Sequence, residues 1–472
     1  MSFYVRICVS FALICLFART FFLGGLFQPL RVSGSSMAES RLGPHYAIDC
    51  PSCGHELVCG ASKDLFAQRE SRHLVCDVCG SAHVKVEAED LRAGQRLLLD
   101  RASFSVRSIR RWETVILRSP DETGLALKRI VGLPGEQIEF HGGDIYINGE
   151  RANKSFAEQM ALSQTLWRSS WFAPEKTFPH AERFWAEHSE ESSGWGWDRS
   201  SEDQPVLTFS RNEASSNSSE IDWIDWIHRT PFPGSNGSDE TPVSNISTYN
   251  QTFSPTGRPP QTTCDVMIRA TIEGSLAEGE AFYLEARHPR VVFVLQWRPG
   301  EPGLRIAQRE ANQLGRTSYE EVPPPDDWET IPCESASRIE LFVSFVDERF
   351  LVALDGRSVY HRDLTMPTNP GSGEGVSRPF AFGVLGEDAA FSVSDIRIAR
   401  DAYYNRSPAP RPASAPDVDR YVLGPNEYFV VGDNPDYSRD SRTWLPDAPI
   451  ARDAILGAAL PFPDFPGIDG DR

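Results

Sequence analysis

Basic charge is what this sequence is shortest of. Lys and Arg number 47 against 66 Asp and Glu, a formal net charge of −19 over 472 residues. That balance excludes nucleic acid or an anionic lipid surface as the main partner. The chain has no recognisable DNA-binding motif, and no loop of regularly spaced Asp and Asn of the kind that cradles calcium. Long hydrophobic runs are missing apart from one, Ile7 to Phe27, which Arg19 and Thr20 interrupt. No small-x-small cleavage site follows that run, which counts against a removed signal peptide. The reading is a retained transmembrane anchor over residues 1–30, a tilted helix whose Arg19 snorkels to the far interface. Arg6 and Arg31 stand on its two sides and leave its orientation unset by charge. Cysteine is scarce too, with nine in the chain.

What is present divides the chain. At 472 residues, with 40% hydrophobic content, it is long enough for two to four packed domains. Residues 31–48 carry VSGSSMAES, and residues 49–93 hold a cysteine module. From Gly94 to about Asn153 the sequence reads as short strands, RLLLDRASFSV, WETVILRSP, LALKRIVGLPGE and QIEFHGGDIYINGE, with turn signals at HGGD and NGE. A long insertion, residues 154–418, separates these from the closing segment 419–472, which contains YFVVGDNPDYSRDSRTW.

The insertion has two parts. To about Thr252 it is rich in Trp, Ser, Asn and acidic residues without clean periodicity. From about residue 264 to 405 it runs strand after strand, with a hairpin signal at Asp355-Gly356, which points to a β-sandwich of concanavalin-like type. A Pro-rich linker, Asn405 to Pro416, follows. The tryptophans Trp195, Trp197, Trp223 and Trp226 suit either core packing or a binding face for sugar or peptide. Core packing is the simpler account.

A serine hydroxyl attacks a carbonyl only when a base takes its proton. A lysine serves as that base only when neutral, which requires a dry, apolar pocket. Lys128 has such neighbours in Leu125, Ala126, Leu127, Ile130 and Val131. If the segment is a strand, Ala126 and Ile130 share its face.

Three separated boxes, VSGSSMAES, LKRIVGLPGE and GDNPDYSRDSR, in this order behind an apolar run, resemble those of the bacterial type I signal peptidases. These are membrane-anchored proteases with a Ser/Lys dyad. The resemblance covers about 150 residues in three pieces and does not extend to the insertion. It implies a mainly β fold: a signal-peptidase-type β catalytic domain, residues 31–48, 94–153 and 419–472, behind one N-terminal transmembrane helix, with the β-sandwich inserted. Ser36 matches the nucleophile and Met37 the residue after it. Lys128 matches the general base, and Arg129 begins the conserved-looking segment beyond it. Gly432, Asp433, Asn434, Ser438, Asp440, Ser441 and Arg442 match the terminal box. By resemblance, Ser438 orients the lysine, and Asp440 and Arg442 form a supporting ion pair.

Two departures stand out. Glu39-Ser40 occupies the place of the family's Pro-Thr. Gly34 offers no hydroxyl for an oxyanion, so the Ser36 N–H is the one donor the sequence names. The resemblance further implies preprotein signal peptides as substrates, a lipid bilayer and secretion-machinery proteins as partners, and no cofactor for the chemistry. It places a single-pass protein at the inner membrane with its catalytic domain outside the cytoplasm.

Cys50-Pro-Ser-Cys53-Gly and Cys76-Asp-Val-Cys79-Gly form two knuckles suited to a structural zinc. Two disulfides are the alternative in an oxidising compartment. Cys59 reads as a bystander, Cys264 and Cys333 as residues able to pair, and His45, His55, His73 and His83 mostly as surface residues. Against the peptidase reading stand two others: a degenerate, anchored binding protein that uses its sandwich, and a self-cleaving Ser/Lys repressor. The missing DNA-binding motif and the N-terminal apolar run weigh against the repressor.

Overall fold

In the strands after Arg96, side chains alternate between two faces of a pleated backbone, so each strand can serve one core with its odd residues and another with its even ones. The computed structural model describes the chain apart from residues 1–2, 20–24, 62–72, 83, 121–123, 172–182, 187–192, 199, 201–204, 211–219, 230–239, 254–259, 276–279, 299–303, 312–315, 317–319, 322–337, 365–374, 387–388, 405–419, 445–448 and 463–472. Among the described residues the fold is mainly β.

The apolar N-terminal run divides. Helix α1 spans Phe3–Ala18 and has no buried residue. At 1.5 Å per residue its 16 residues reach about 24 Å, short of a hydrocarbon core of about 30 Å. Among the described residues no helix is long and apolar enough to cross a membrane. Phe27, read from the sequence as the end of the run, lies instead in strand β1, Phe27–Arg31. Its backbone pairs there with β2, Arg96–Asp100.

A seven-stranded sheet follows. It comprises β1, β2, β3 (Thr114–Arg118), β4 (Leu125–Gly132), β5 (Glu427–Val431), β6 (Ile450–Ala451) and β7 (Ile455–Pro461), in the spatial order β1-β2-β7-β3-β4-β5-β6. Every pairing between neighbours in it is antiparallel. Strands from both sides of the long insertion therefore interleave in one sheet. Ile130 on β4 joins a core with Val115, Val430 and Trp444, while its neighbour Val131 joins a second core with Trp112, Ile138 and Phe429. A four-stranded sheet, Glu150–Arg151, Asp144–Ile147, Gln137–His141 and Arg420–Val422, supplies that second core.

The insertion forms two antiparallel sheets facing each other across one large apolar core, which includes Phe282, Phe293, Val343, Phe350, Phe382 and Ile398. The Asp-Gly pair makes the two-residue hairpin its sequence implies. Leu354 faces Arg357 in register, and both turn residues take positive φ, 45° at Asp355 and 77° at Gly356. The sheets reach further back in sequence than residue 264. Gln164–Arg168, Trp195–Asp198 and Val206–Ser210 join one sheet, and Phe184–Ala186 and Asp222–Trp226 join the other. These strands are short and separated, so their alternation is brief and no period shows in the sequence. Trp223 and Trp226 are buried and Trp195 and Trp197 half-buried. The tryptophans therefore pack rather than open onto solvent.

The sandwich is fastened to the segment that leads out of the four-stranded sheet by a buried cation. Lys154 Nζ lies 2.7 Å from Asp347 and 2.8 Å from Asp401, with all three side chains almost fully covered. Burial alone would pull this ammonium down, but the two carboxylates hold it well above the ordinary lysine value. Removing one member leaves uncompensated buried charge, which typically costs about 3–5 kcal/mol. Lys154→Ala is thus expected to lower the unfolding free energy, read from denaturant titration, by an amount in that range. A loss below about 1 kcal/mol would show that the contact carries little.

Candidate active site

Ser36 sits in a loop of turns between β1 and the strand His45–Asp49, with no regular hydrogen-bonded ladder of its own. Neighbouring segments therefore fix it. Lys128, in the middle of β4, reaches it directly: Lys128 Nζ donates to Ser36 Oγ at 2.8 Å. The pleat puts Lys128 on the face of Ile130, toward the core containing Trp444, and leaves only 4% of the lysine exposed. A cleft of about 260 Å³ opens at the pair, lined among others by Leu30, Val32, Met37, Ile116, Leu127 and Trp444.

The loop 432–442 lies beneath the serine. Gly432 is forced by space, because a Cβ there would collide with Ser36 O and the Ser438 hydroxyl. Asn434 N–H donates to Ser36 O at 3.0 Å, and Asn434 Nδ2 donates to Ser35 O at 3.1 Å. Two buried ion pairs hold this loop. Arg129 grips Asp433 through Nε at 2.7 Å and through Nη2, and donates to Trp112 O at 2.7 Å. Arg442 grips Asp440 through Nε on Oδ1 at 2.9 Å and Nη2 on Oδ2 at 2.8 Å, and the same Oδ2 accepts Gly432 N–H at 3.0 Å.

Burial pushes the Asp440 carboxyl up, but Arg442, and Lys128 more weakly, outweigh it and hold the group below the ordinary value. Arg442 is correspondingly held above its own. Ser438 is buried beside them. It lies near enough to Asp440 to help keep that carboxyl ionised, yet its hydroxyl makes no hydrogen bond of ordinary geometry. The structure thus places Ser438 at the site without the bond to the lysine that the resemblance implies.

The two departures have local partners. Ser40 Oγ donates to Asp433 Oδ2 and to Met37 O. Glu39 accepts from Ser247 Oγ of the insertion at 2.5 Å. Burial raises the Glu39 carboxyl, and Ser247 and Arg400 pull it back in part. Asn250 of the insertion exchanges two amide hydrogen bonds with Asn434, at 2.9 and 3.0 Å. Tyr249 OH donates to Ser35 Oγ at 3.3 Å. Nothing in the sequence marks Ser247, Tyr249 or Asn250, which sit in a stretch with neither period nor motif.

The cysteine module packs against the same segment. Cys50, Cys53, Cys76 and Cys79 bring their sulfurs within 4.8 Å of one another. Cys50 and Cys79 are 3.6 Å apart, and Cys53 and Cys76 are 3.7 Å apart. A disulfide requires about 2.05 Å, whereas sulfurs about 2.3 Å from a shared tetrahedral zinc stand about 3.8 Å apart. Gly54 and Gly80, with φ of 74° and 72°, donate back to Cys50 O and Cys76 O and close the two knuckles alike. The donor set fits zinc. His55, read from the sequence as a surface residue, is largely covered, with its ring 3.0 Å from Asp77 and tilted against Trp171. Cys264 is half-buried, and Cys333 lies outside the described residues.

Comparison with known proteins adds a family signal over part of the chain. Residues 81–196 match the model described as signal peptidase, peptidase S26. Signal peptidase I V of Bacillus subtilis is 33% identical over 67 residues, 14% of this chain and 39% of that protein. Signal peptidase I of Bacillus caldolyticus is 26% identical over 66 residues, 14% of this chain and 36% of that protein. The chain thus spans about two-fifths or less of these relatives' length. Lys128 lies inside the family match, while Ser36 and the 432–442 loop lie outside it. A carbohydrate binding module of Bacillus subtilis covers 44% of this chain and 96% of itself at 13% identity and a TM-score of 0.23, a likeness too loose to bear on function.

The ion pairs set an acid limit for the site. Because the Asp440 carboxyl is lowered on folding, its contribution to stability is complete above the unfolded value of about 3.9 and is lost as pH falls toward the lower folded value. The stability gap between wild type and Asp440→Asn should stay constant from neutrality to about pH 4 and shrink below it, read by denaturant unfolding at each pH. A gap that closes already at pH 5–6 would contradict this.

Proposed function

We propose that the chain is a signal peptidase I-type serine endopeptidase in which Ser36 is the nucleophile and Lys128 the general base. The observation that carries this is the 2.8 Å contact between a buried lysine amine and a half-buried serine hydroxyl at the floor of an open cleft. The family match around Lys128 supports it.

The chemistry follows from those two atoms. Ser36 Oγ attacks the scissile carbonyl carbon as neutral Lys128 Nζ takes its proton. The Ser36 N–H stands ready for the developing oxyanion. The tetrahedral adduct collapses with cleavage of the C–N bond, and the lysine ammonium returns the proton to the leaving amine. The fragment N-terminal to the cut is left as an ester on Ser36. Water then attacks that ester, giving its proton to Lys128, and frees the carboxylate and the serine.

The substrate's path is also readable. β4 is paired with β3 along Leu125–Lys128, but on its other edge β5 reaches only Arg129, Ile130 and Gly132. Among the described residues no strand pairs with that edge along Leu125–Leu127, which lines the cleft together with residues 30–34. An extended peptide can add there as a strand. Apolar walls at Val32, Leu97, Ile116 and Leu127 suit small apolar side chains before the cut. We place the substrate class as preprotein signal peptides, and the chain at the inner membrane, anchored through its apolar N-terminal run, with the catalytic sheets outside the cytoplasm.

We further assign the four cysteines to a structural zinc. With four thiolates the metal keeps no open position for water, so it would act on folding alone and the peptide chemistry needs no cofactor.

Two measurements check these readings. Ser36→Ala and Lys128→Ala should each abolish cleavage of a model preprotein while leaving the thermal midpoint within a few degrees of wild type. Substantial residual activity in either would remove the dyad. The purified chain should carry about one zinc, and chelation without reductant should make four further cysteines available to alkylation. Four thiols released only by reductant would establish disulfides instead.

A further inference from the structure

The segment Ser247–Phe253, built around the short 3₁₀ turn Thr248–Thr252, lies between the nucleophile loop and the cysteine module and is bonded to both. On one side Ser247, Tyr249 and Asn250 reach Glu39, Ser35 and Asn434. On the other, Gln251 bonds both the N–H and the C=O of Val75, at 2.8 and 2.9 Å. Thr252 Oγ1 donates to Gly60 O. The rings of Tyr249 and Phe253 fill the space where a Gly60 side chain would stand. Phe253 also packs at a tilt against Tyr437 of the terminal loop, with centroids 4.7 Å apart.

Within this segment one contact leads straight to the reacting atoms. Asn434 donates its backbone N–H to Ser36 O and its amide to Ser35 O. The orientation of that amide is set by Asn250, which accepts from Asn434 Nδ2 at 2.9 Å and donates to Asn434 Oδ1 at 3.0 Å. A primary amide bonded on both its oxygen and its nitrogen by one partner has no free rotation left. We infer that Asn250, contributed by the insertion, is a positioning residue for the peptidase reaction: it locks Asn434 and through it the carbonyls of Ser35 and Ser36, and so aims Ser36 Oγ. This rests on the peptidase reading above. It gives the insertion a part in the chemistry that the sandwich core alone does not supply. It also explains Glu39 and Ser40, since a residue that bonds Ser247 and a residue that bonds Asp433 fit a loop braced from two sides.

The test is steady-state cleavage of a model preprotein by full-length wild type, Asn250→Leu, Asn434→Ala and the double variant, with kcat expressed per folded molecule. Asn250→Leu keeps the shape and removes both hydrogen bonds. Misaiming of this size is expected to lower kcat about tenfold with KM within about twofold. In the Asn434→Ala background the same change should cost almost nothing further, because the two residues act as one unit. Should Asn250→Leu fail to accumulate, Asn250→Asp keeps the acceptor and loses the donor, and a smaller fall in kcat at constant KM is expected. Unchanged kcat in the single variant, or losses that multiply in the double, would overturn the inference. An active wild type beside an equally active Asn250→Leu sinks this role alone. A folded wild type that cleaves no preprotein sinks the peptidase reading, and this role with it.

Discussion

A serine in a loop without a ladder is only as well placed as whatever lies beneath it, and here that is the turn Gly432–Arg442. The turn is held by two buried guanidinium–carboxylate pairs, Arg129–Asp433 and Arg442–Asp440, one on each side of the point where it touches Ser36. Arg129–Asp433 ties β4 to the turn, Arg442–Asp440 closes the turn on itself, and each carboxylate also accepts a further donor, Ser40 Oγ on Asp433 and Gly432 N–H on Asp440. Buried ions are costly unless fully satisfied, so such an arrangement tolerates very few alternative geometries. The 2.8 Å approach of Lys128 to Ser36 follows from that rigidity.

The sheet makes the placement economical. β4 delivers Lys128 to one face and Arg129 to the other, so adjacent residues supply the base and the clamp. The strands that carry the two halves of the site lie 300 residues apart in sequence, roughly, yet β5 pairs with β4 in register next to Lys128. A large insertion is tolerable in such a design because closing a longer loop costs little more than closing a shorter one.

Much of this was legible in the sequence. Ser36, Lys128, Asp433, Asn434, Asp440 and Arg442 lie in the boxes that resemble those of the signal peptidases, and the structure brings all six together. The strands from Gly94 to Asn153 and the Asp355-Gly356 hairpin were readable because alternation and turn chemistry are local signals. The early strands of the sandwich were not, since three to five residues between long polar stretches give no measurable period. Phe27 was misread because an apolar run does not show where a helix stops and a strand begins. The role of Ser247–Phe253 was invisible for another reason. Asn-to-Asn amide pairing leaves no pattern in a single chain, and only the folded geometry brings residue 250 to residue 434.

The account stands or falls on which atom carries the acyl group during turnover. Wild-type enzyme mixed with a model preprotein and quenched in acid within its first turnover can be digested and mapped by mass spectrometry. The account predicts an ester of the fragment N-terminal to the cut on the peptide containing Ser36, absent when Lys128 is replaced by Ala. Cleavage that proceeds with an ester on another residue, or with none at any quench time while product accumulates from a variant lacking Ser36, would contradict it.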